Sequence, residues 1–256
     1  MEPNGEMVSV DATNVAQHGF FCYKSKKKAT GYREKSDWLQ ARFAEGLKIK
    51  MIYEGKRSVG FIEYIPGEFA WRAIDAPNYL VIHCLWVVGS GKGKGYGSRL
   101  IDACVEDARE AGKDGVAVVT SSGVWLAHKD IFASKGFELQ AEAPPSFQLM
   151  VRAFGDGPRP SFPTDWEERS AQFGAGVTVV RTAQCPYIAD AVDFAVSGCK
   201  DVGLDVRVVE LHSRQEVRDR APAANGIFGI VYNGKLLSYH YLLPKDLVQR
   251  LEQVAR

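Results

Sequence analysis

A glycine-dense segment, Gly89–Gly97, carries the residue types and the spacing that point most directly to chemistry. It reads GSGKGKGYG and follows an apolar run rich in β-forming residues, Val81–Val88. The next segment has apolar residues at helical spacing on one face, namely Leu100, Ile101, Cys104, Val105 and Ala108. Glycines let backbone N–H groups approach a ligand closely, and a helix N-terminus adds partial positive charge. This order of strand, glycine loop and helix therefore predicts a site for a pyrophosphate.

The spacing of the glycines narrows the class of phosphate ligand. A loop of the type G-x-x-x-x-G-K-[ST] is excluded, because no Lys-Ser or Lys-Thr follows a glycine at the required place. A dinucleotide fingerprint fits poorly, since it expects a βαβ unit and an acidic residue about 20 residues later. The segment Lys92–Gly97 instead fits [Gln/Arg]-x-x-Gly-x-Gly, with Val87 five residues ahead. It resembles motif A of the GNAT superfamily of acyl-CoA-dependent N-acetyltransferases, with Lys92 as the cation in place of glutamine or arginine.

The bulk properties bound the fold and the compartment. The chain has 256 residues, of which 46% are hydrophobic and 25% charged, and its net charge is +1, which suits one large domain or two small ones. Without a basic excess, neither nucleic acid nor an anionic membrane is expected as a partner. The polar, acidic start is unlike a signal peptide, and no apolar run reaches the roughly 20 residues of a membrane span. The five cysteines include no C-x-x-C pair, which argues against a disulfide framework or a metal site. Free cysteines favour a reducing compartment, so we expect the cytoplasm.

The elements predicted over residues 5–153 must position the glycine loop. Alternating patterns predict a hairpin of Leu47–Tyr53 and Ser58–Ile65, and Val116–Thr120 is a short buried strand. A helix follows around Lys129–Ser134, and Phe147–Val151 is the last strand. The resulting order β-α-β-β-β-α-β-α-β is that of the GNAT fold, and the Gly-Phe pair after the last helix resembles the end of the superfamily's motif B. The expected fold class is mixed α/β (α+β), with splayed central strands.

A second pattern begins after a Gly- and Pro-rich break, Gly155–Pro163. It has the order β-α-β-α-β-β-α, with a capping box at Ser213–Glu216 and a closing amphipathic helix from Pro244. This order resembles that of a thioredoxin-like domain, and Cys185–Ile188, CPYI, resembles the glutaredoxin active site CPYC. The predicted limits are 1–153 for the GNAT domain, 154–175 for a linker and 176–256 for the second domain.

The combination of the two halves is more specific than either motif. The segments Phe61–Pro66, Ala70–Arg72, Lys92–Gly97, Ala143–Phe147 and Gln184–Pro186 together resemble bacterial and archaeal GNAT proteins with a YoaP-type C-terminal domain. The resemblance spans nearly the whole chain. It implies the fold and the use of acetyl-CoA as co-substrate, without a metal, but no settled acceptor.

The resemblance also implies how the co-substrate is held. In the family the central strands part and pantetheine pairs with the exposed backbone, as in strand addition at an open edge. Here the parted strands would be Cys84–Val88 and Val116–Thr120. We expect pantetheine to contact mainly the main chain of Leu85, Trp86, Val87 and Val88. The pyrophosphate would be held by Lys92, Gly93, Lys94, Gly95, Tyr96, Gly97 and Ser98.

The general base is open between two residues. Many family members carry a glutamate six residues before the motif valine, but that position is Val81, which cannot act as a base. His83 lies two residues further on, and an unperturbed imidazole pKa near 6.5 suits base catalysis. His83 could instead orient the substrate or simply pack. Glu63 is the alternative base, acting through a water.

The general acid is also open. The family's usual tyrosine, four residues before the motif B glycine, is replaced by Phe132, so water or His128 could supply the proton, or thiolate release needs no acid. Cys84 is adjacent to His83, and strand alternation predicts a buried thiol on the opposite face. Trp71 and Arg72 are candidate substrate contacts, and Arg72 suggests an acceptor with a carboxylate or phosphate.

Cys185 is the candidate reactive residue of the second half. A thiol at a helix N-terminus has a lowered pKa. Ile188 stands where a dithiol enzyme has its resolving cysteine, and Gly226 stands where the family has a cis-proline, so dithiol redox chemistry is not expected. Either Cys185 binds or senses a thiol or an electrophile, or the domain is a degenerate fold that serves as a lid or binding partner.

The sequence thus predicts an acetyl-CoA-dependent N-acetyltransferase that acts on a primary amine of a small molecule or peptide, with a homodimer as one possible assembly. The alternative is a module that holds CoA and uses Cys185 for thiol binding or redox sensing without acetyl transfer.

Overall fold

The computed structural model describes residues 5–123 and 125–254, which form two compact units. Unit 1 contains the described residues up to Ser25 together with Leu39–Ala70 and Ile74–Phe162. Unit 2 contains Lys26–Trp38, Trp71–Ala73 and the described residues from Pro163 onward. Both units are discontinuous in sequence, whereas the prediction assumed contiguous ranges. The domain limits therefore stay a prediction.

Unit 1 is built on a seven-stranded sheet with the order β1-β2-β3-β4-β5-β7-β6. The central pair β4 and β5 is parallel, and the other pairs are antiparallel. The strands are β1 Glu6–Val10, β2 Lys48–Glu54, β3 Arg57–Pro66, β4 Tyr79–Val87, β5 Gly115–Ser121, β6 Glu138–Ala143 and β7 Phe147–Ala153. The first four helices are α1 Val15–His18, α2 Thr30–Ala44, α3 Tyr96–Glu110 and α4 Lys129–Ala133. The residues of α2 up to Trp38 belong to unit 2.

The predicted order differs from the structure in two places: helices α1 and α2 both lie where one helix was predicted, and β6 was not predicted. This strand reads ELQAEA and lies at the edge of the sheet, where most of its residues are exposed or half-exposed. Glutamate, glutamine and alanine are poor strand formers, so the local pattern contained little signal. Pairing with β7, from Glu138↔Val151 to Ala143↔Phe147, stabilises the strand instead.

Helix α3 packs its apolar face onto the sheet, as its spacing predicted. Leu100, Ile101 and Ala108 are fully buried in a cluster that also contains Ile62 and Ile82. Burial of apolar side chains at about 25 cal/mol per Å² is the main stabilising contribution to this contact. The helix thereby holds its N-terminus, and the glycine turn before it, at the end of β4.

The central strands β4 and β5 are paired over only part of their length. Their register runs from Tyr79↔Gly115 to Ile82↔Val118 and then stops. The rest of β4, beginning at His83, and the end of β5, beginning at Val119, are parted. The predicted splay is therefore confirmed, although Val116–Val118 belong to the paired portion rather than to the parted one.

Unit 2 contains a four-stranded sheet with the order β11-β10-β8-β9, in which β8 and β9 are parallel. Its strands are β8 Val177–Arg181, β9 Val206–Glu210, β10 Phe228–Tyr232 and β11 Lys235–Ser238. Its later helices are α5 Trp166–Ala171, α6 Ile188–Asp201, α7 Arg214–Arg220 and α8 Pro244–Val254. The predicted order from β8 to α8 is confirmed, whereas α5 falls within the stretch predicted as a linker.

Local signals account for the ends of two helices in unit 2. The backbone N–H of Glu216 donates to Ser213 Oγ at 3.1 Å, which caps α7 as the sequence pattern predicted. Pro244 is the first residue of α8, where its missing N–H costs nothing. Within the described part of the chain, none of the helices is long and apolar enough to cross a membrane.

Candidate active site

The glycine turn presents unused backbone donors at the start of α3. Gly93 and Gly95 have φ of 76° and 75°, a left-handed conformation that favours glycine. The first intrahelical donor is Arg99, which bonds to Gly95 O at 3.1 Å. The N–H groups of Tyr96, Gly97 and Ser98 precede it and have no acceptor among the described residues, as expected for the first turn of a helix. These converging donors suit a diphosphate.

Two lysines lie within this turn, and they have different surroundings. The Lys92 ammonium lies 5.8 Å from the centroid of the exposed Trp86 ring. Lys94 Nζ lies 2.7 Å from Glu54 Oε1, and this carboxylate raises the pKa of Lys94. Lys92 is therefore available to a phosphate, whereas the charge of Lys94 is largely balanced by Glu54.

The parted portion of β4 offers an open backbone edge. On its other edge the strand pairs with β3 from Pro66↔Leu80 to Gly60↔Val87, with one register shift, and Val88 N–H donates to Val59 O at 2.9 Å. Leu85 packs into the core, while Trp86 is 55% exposed and Val87 is half-buried. The pairing of β4 with β5 ends at Ile82↔Val118, so a pantetheine chain can pair with the following part of this edge as an added strand. The turn and this edge together fit the two ends of a CoA molecule.

The two candidate bases form a buried pair beside the point where the strands part. His83 Nδ1 lies 3.4 Å from Glu63 Oε1, and the side chains are only 1% and 4% exposed. From the sequence alone, His83 and Glu63 were alternative candidates for the general base. In the structure the carboxylate can orient the imidazole and stabilise its protonated form, the arrangement that makes a histidine an effective base.

A β-bulge at His83 sets the direction of this part of β4. Glu63 pairs with Cys84, whereas the next residue, Tyr64, pairs with Ile82, so β4 has one extra residue. Ile82 and Leu85 both face the core although they are three residues apart. The alternation is broken between them.

The bulge corrects the prediction of a buried Cys84 thiol. The prediction rested on strict alternation, which would place Cys84 opposite His83 and in the core. Cys84 is exposed instead. Its cross-strand partner is Glu63, so it lies on the face that carries the His83–Glu63 pair.

The positions at which family members carry the usual base and acid are apolar and buried. Val81 is fully buried, and Phe132 packs edge-on against Phe137 with ring centroids 5.5 Å apart. His128 is more than half exposed, and its Nδ1 lies 3.0 Å from Asp130 Oδ2. Among the described residues, no group of three or more His, Cys, Asp or Glu side chains could hold a metal.

Trp71 and Arg72 belong to unit 2, where both are buried. Arg72 Nη1 donates to Gln184 Oε1 at 2.6 Å and to the carbonyl of Trp71 at 2.8 Å. The Trp71 ring lies edge-on to Trp38, with centroids 5.5 Å apart. These contacts give both residues a part in the packing of unit 2, and their role in substrate binding stays a prediction.

Cys185 is partly buried and lies three residues before α6. Its carbonyl accepts from the N–H of Ile188 at 3.1 Å. The neighbouring Gln184 is held by Gly226, whose carbonyl accepts from Gln184 Nε2 at 2.9 Å. The reactivity of Cys185 stays a prediction.

Glu54 is the residue near the glycine turn that sequence reasoning missed. Besides Lys94, it accepts a hydrogen bond from the Tyr96 hydroxyl at 2.6 Å. The sequence showed it only as part of a hairpin turn. Its two contacts span about 40 residues of chain, and no local pattern could have indicated them.

A mixed sheet with parted central strands, a glycine turn at the start of α3 and the buried His83–Glu63 pair beside the gap are the features that indicate an acyl-CoA N-acyltransferase. The acetyltransferase (GNAT) family model matches residues 13–124. Together with a relative that matches almost the whole chain, this shows that the protein belongs to the GNAT family of N-acetyltransferases. It is an acyltransferase that uses acetyl-CoA as its co-substrate.

That relative is the uncharacterized N-acetyltransferase YoaP of Bacillus subtilis, which is 32% identical over 252 residues, covering 97% of this chain and 99% of the relative. An L-methionine sulfoximine/L-methionine sulfone acetyltransferase of Salmonella typhimurium is 28% identical over 111 residues, covering 42% of this chain and 60% of the relative. The crystal structure of the PaiA N-acetyltransferase of Thermoplasma acidophilum with coenzyme A aligns at 12% identity and a TM-score of 0.43, covering 59% of this chain and 99% of the other.

Proposed function

We propose that this N-acetyltransferase transfers the acetyl group directly to a primary amine of a small molecule or peptide. The observation that carries the proposal is the buried His83–Glu63 pair at the point where β4 and β5 part. A base at this point is next to the backbone edge that suits pantetheine, so an amine held there can lose its proton and attack in one step.

The residues of unit 1 divide the work of holding the co-substrate. The turn from Lys92 to Ser98 would bind the diphosphate through backbone N–H groups and the Lys92 ammonium. The main chain from Leu85 to Val88 would pair with pantetheine. When bound, acetyl-CoA supplies the acetyl group as a thioester.

The protein's own contribution to the reaction is proton transfer and positioning. His83 accepts the proton of the attacking amine, and Glu63 orients the imidazole and stabilises its positive charge. Backbone N–H groups of the parted β4 edge can donate to a developing oxyanion. Phe132 has no hydroxyl and cannot act as the general acid. We therefore propose that water protonates the departing CoA thiolate or that the thiolate leaves unprotonated.

The acceptor class is supported by two partial relatives. The Salmonella typhimurium protein is named for L-methionine sulfoximine and sulfone, and an Escherichia coli relative, 29% identical over 107 residues, is named an L-amino acid N-acyltransferase. Both matches cover 42% of this chain. They favour a small amine of the amino-acid type among the acceptors that the site allows.

We also propose that the region after the predicted linker is a thioredoxin-like domain without dithiol redox activity. The order of β8 to α8 and the sheet order β11-β10-β8-β9 support the fold. Ile188 in place of a resolving cysteine argues against dithiol exchange, and we do not favour the thiol-sensing alternative. The cysteine pattern of the sequence supports a cytoplasmic location.

An acceptor screen tests this function. Primary amines, including amino acids and short peptides, are incubated with acetyl-CoA, and the free CoA thiol and the N-acetyl product are both measured. We expect at least one amine to be acetylated by the wild type and by Cys185→Ser, but not by His83→Ala. Activity that survives His83→Ala but is lost in Cys185→Ser would contradict the proposal and favour the thiol-based alternative.

A further inference from the structure

Glu54 connects the two sides of the left-handed glycine in the phosphate turn. It is the last residue of β2, and one oxygen, Oε1, accepts from Lys94 Nζ at 2.7 Å and from the Tyr96 hydroxyl at 2.6 Å. Lys94 and Tyr96 flank Gly95, which has a φ of 75°. A single carboxylate therefore holds both neighbours of the residue at which the chain turns into α3.

The position of this carboxylate is electrostatically unfavourable for an anion site. A fixed negative charge beside a diphosphate repels it, most strongly where the site is sheltered from solvent. Here the charge is balanced by Lys94, and hydrogen bonds from Lys94 and Tyr96 lower the pKa of Glu54. The Glu54 carboxylate is thus ionised and bound to Lys94 and Tyr96. These contacts indicate that it positions the two side chains.

Tyr96 carries the effect of Glu54 to the backbone. Its side chain is buried under the turn, close enough that a Cβ on Gly91 would lie 3.2 Å from the Tyr96 ring and 2.9 Å from Val87. Its own backbone N–H is one of the first unused donors of α3. Fixing the phenol therefore fixes the direction of the amides that precede and follow it.

We propose that Glu54 is a positioning residue for the CoA diphosphate, acting through Tyr96 and Lys94 on the amide groups of the turn. The inference rests on the proposed role of this turn in CoA binding. A preformed turn does not have to be ordered when the diphosphate binds, so the Glu54 contacts raise affinity without touching the ligand.

Calorimetric titration with CoA separates positioning from charge. Glu54→Ala removes a negative charge near the phosphates and releases Lys94, so electrostatics alone predicts tighter binding. Positioning predicts weaker binding, by about 5-fold or more for the loss of a hydrogen bond to a charged group. Tyr96→Phe changes no charge and should cost a similar factor. The double variant should be no weaker than the weaker single variant, because both changes remove the same bond.

Two further variants complete the test. Glu54→Gln, which keeps an acceptor for Tyr96, should recover part of the affinity, and the exposed Glu138→Gln on β6 should bind CoA as the wild type does. In steady-state assays of the Glu54 and Tyr96 variants, the KM for acetyl-CoA should rise while kcat stays within about twofold. The reason is that the turn contributes to CoA binding and not to proton transfer.

Unchanged CoA affinity in Tyr96→Phe, tighter binding in Glu54→Ala, or additive losses in the double variant would overturn the proposal. A wild-type protein that does not bind CoA would instead refute the proposed role of the turn itself. Melting temperatures of all variants verify that each is folded.

Discussion

His83 and Glu63 lie buried side by side, and their pairing gives them different tasks in one proton transfer. If His83 is the base, His83→Ala should lower kcat by about 10²–10⁴-fold, because the attacking amine loses its proton acceptor. Glu63→Gln should cost less, since an amide can still orient the imidazole. Steady-state kinetics at saturating acetyl-CoA, with CoA affinity measured separately, checks this prediction.

Cys84→Ser is the matched control for the base assignment. The thiol is exposed on the same face as the pair, yet direct attack by an amine does not use it. We expect kcat within about twofold of the wild type, as for changes away from the reacting groups. A loss in Glu63→Gln larger than that in His83→Ala would identify Glu63 as the base, acting through a water.

The unequal surroundings of the two lysines in the turn lead to a second prediction. Lys92→Ala should weaken CoA binding by about 5–10-fold at low ionic strength, and added salt should narrow this gap because it screens exposed charges. Lys92→Arg should bind almost as well as the wild type, since the cation is retained. Titration calorimetry at several salt concentrations measures the effect, and Lys235→Ala in unit 2 is the control. A gap that does not change with salt would contradict the charge-based role.

Helix α3 is anchored by a buried charge as well as by its apolar face. Asp107 is buried although it is charged and is not one of the apolar positions that the helical spacing indicates. It accepts from Lys48 Nζ at 2.9 Å, Lys50 Nζ at 2.8 Å and the Tyr64 hydroxyl at 2.6 Å. These bonds attach the helix to strands β2 and β3, next to the strand that carries His83.

Asp107→Asn should therefore lower the free energy of unfolding by about 2 kcal/mol, the usual contribution of hydrogen bonds to a charged group. Burial by itself would raise the pKa of Asp107, but hydrogen bonds from Lys50, Tyr64 and Lys48 outweigh it, so the pKa is lowered. A lowered folded pKa stabilises the protein above the unfolded value of about 3.9 and loses this effect as pH falls through the folded value.

Denaturant unfolding at several pH values measures this difference. The gap between the wild type and Asp107→Asn should be full at neutral pH and should close as the pH falls below about 4. Glu106→Gln, an exposed change on the same helix, should have no such gap. A stability difference that is the same at neutral and acidic pH would show that the carboxylate charge does not anchor the helix.

The site elements differ in how far the sequence predicts them. Glycine spacing and helical periodicity are local, so the turn at Gly89–Gly97 and helix α3 were predictable, whereas the parted strands followed only from the resemblance to the GNAT family. The bulge at His83 was not, because it is defined by the pairing of β4 with β3, and an apolar run such as Val81–Val88 has no alternation to reveal a shift. Because the bulge was not predictable, the prediction of a buried Cys84 was wrong. For the same reason, His83 and Glu63 were treated as alternative bases and not as a pair.

The two units are each assembled from separate segments of the chain. Lys26–Trp38 and Trp71–Ala73 belong to unit 2, where Ala73 N–H donates to Ala224 O at 3.3 Å and Arg181 bonds to Glu34. A chain that ends at residue 162 would keep both segments and lose their partners. We expect this truncated chain to melt at a lower temperature than the full chain. It should also bind a hydrophobic dye, because Trp38 and Trp71 would become exposed to solvent.

A chain that ends at Val254 is the control for this truncation and should melt as the full chain does. If the chain ending at residue 162 has the stability of the full chain, the contiguous domain limits of 1–153 and 176–256 would be the better description. Sequence patterns could not reveal the interleaving, since contacts such as Arg72–Gln184 join residues 112 positions apart. Periodicity reports on local structure and not on such pairings.

The proposed function depends on the binding of CoA by the glycine turn and the parted strands of unit 1, and titration calorimetry with CoA tests this binding most directly. The wild type should bind in the micromolar range, and Gly95→Glu should abolish binding because it places a carboxylate where the diphosphate is expected. Gly155→Glu, at an open position beside the other end of β5, is the control and should bind CoA normally. If Gly95→Glu does not fold, Lys92→Ala takes its place and should weaken CoA binding. Absence of CoA binding by the folded wild type, or equal affinity in Gly95→Glu, would contradict the proposed role of the turn and the parted strands.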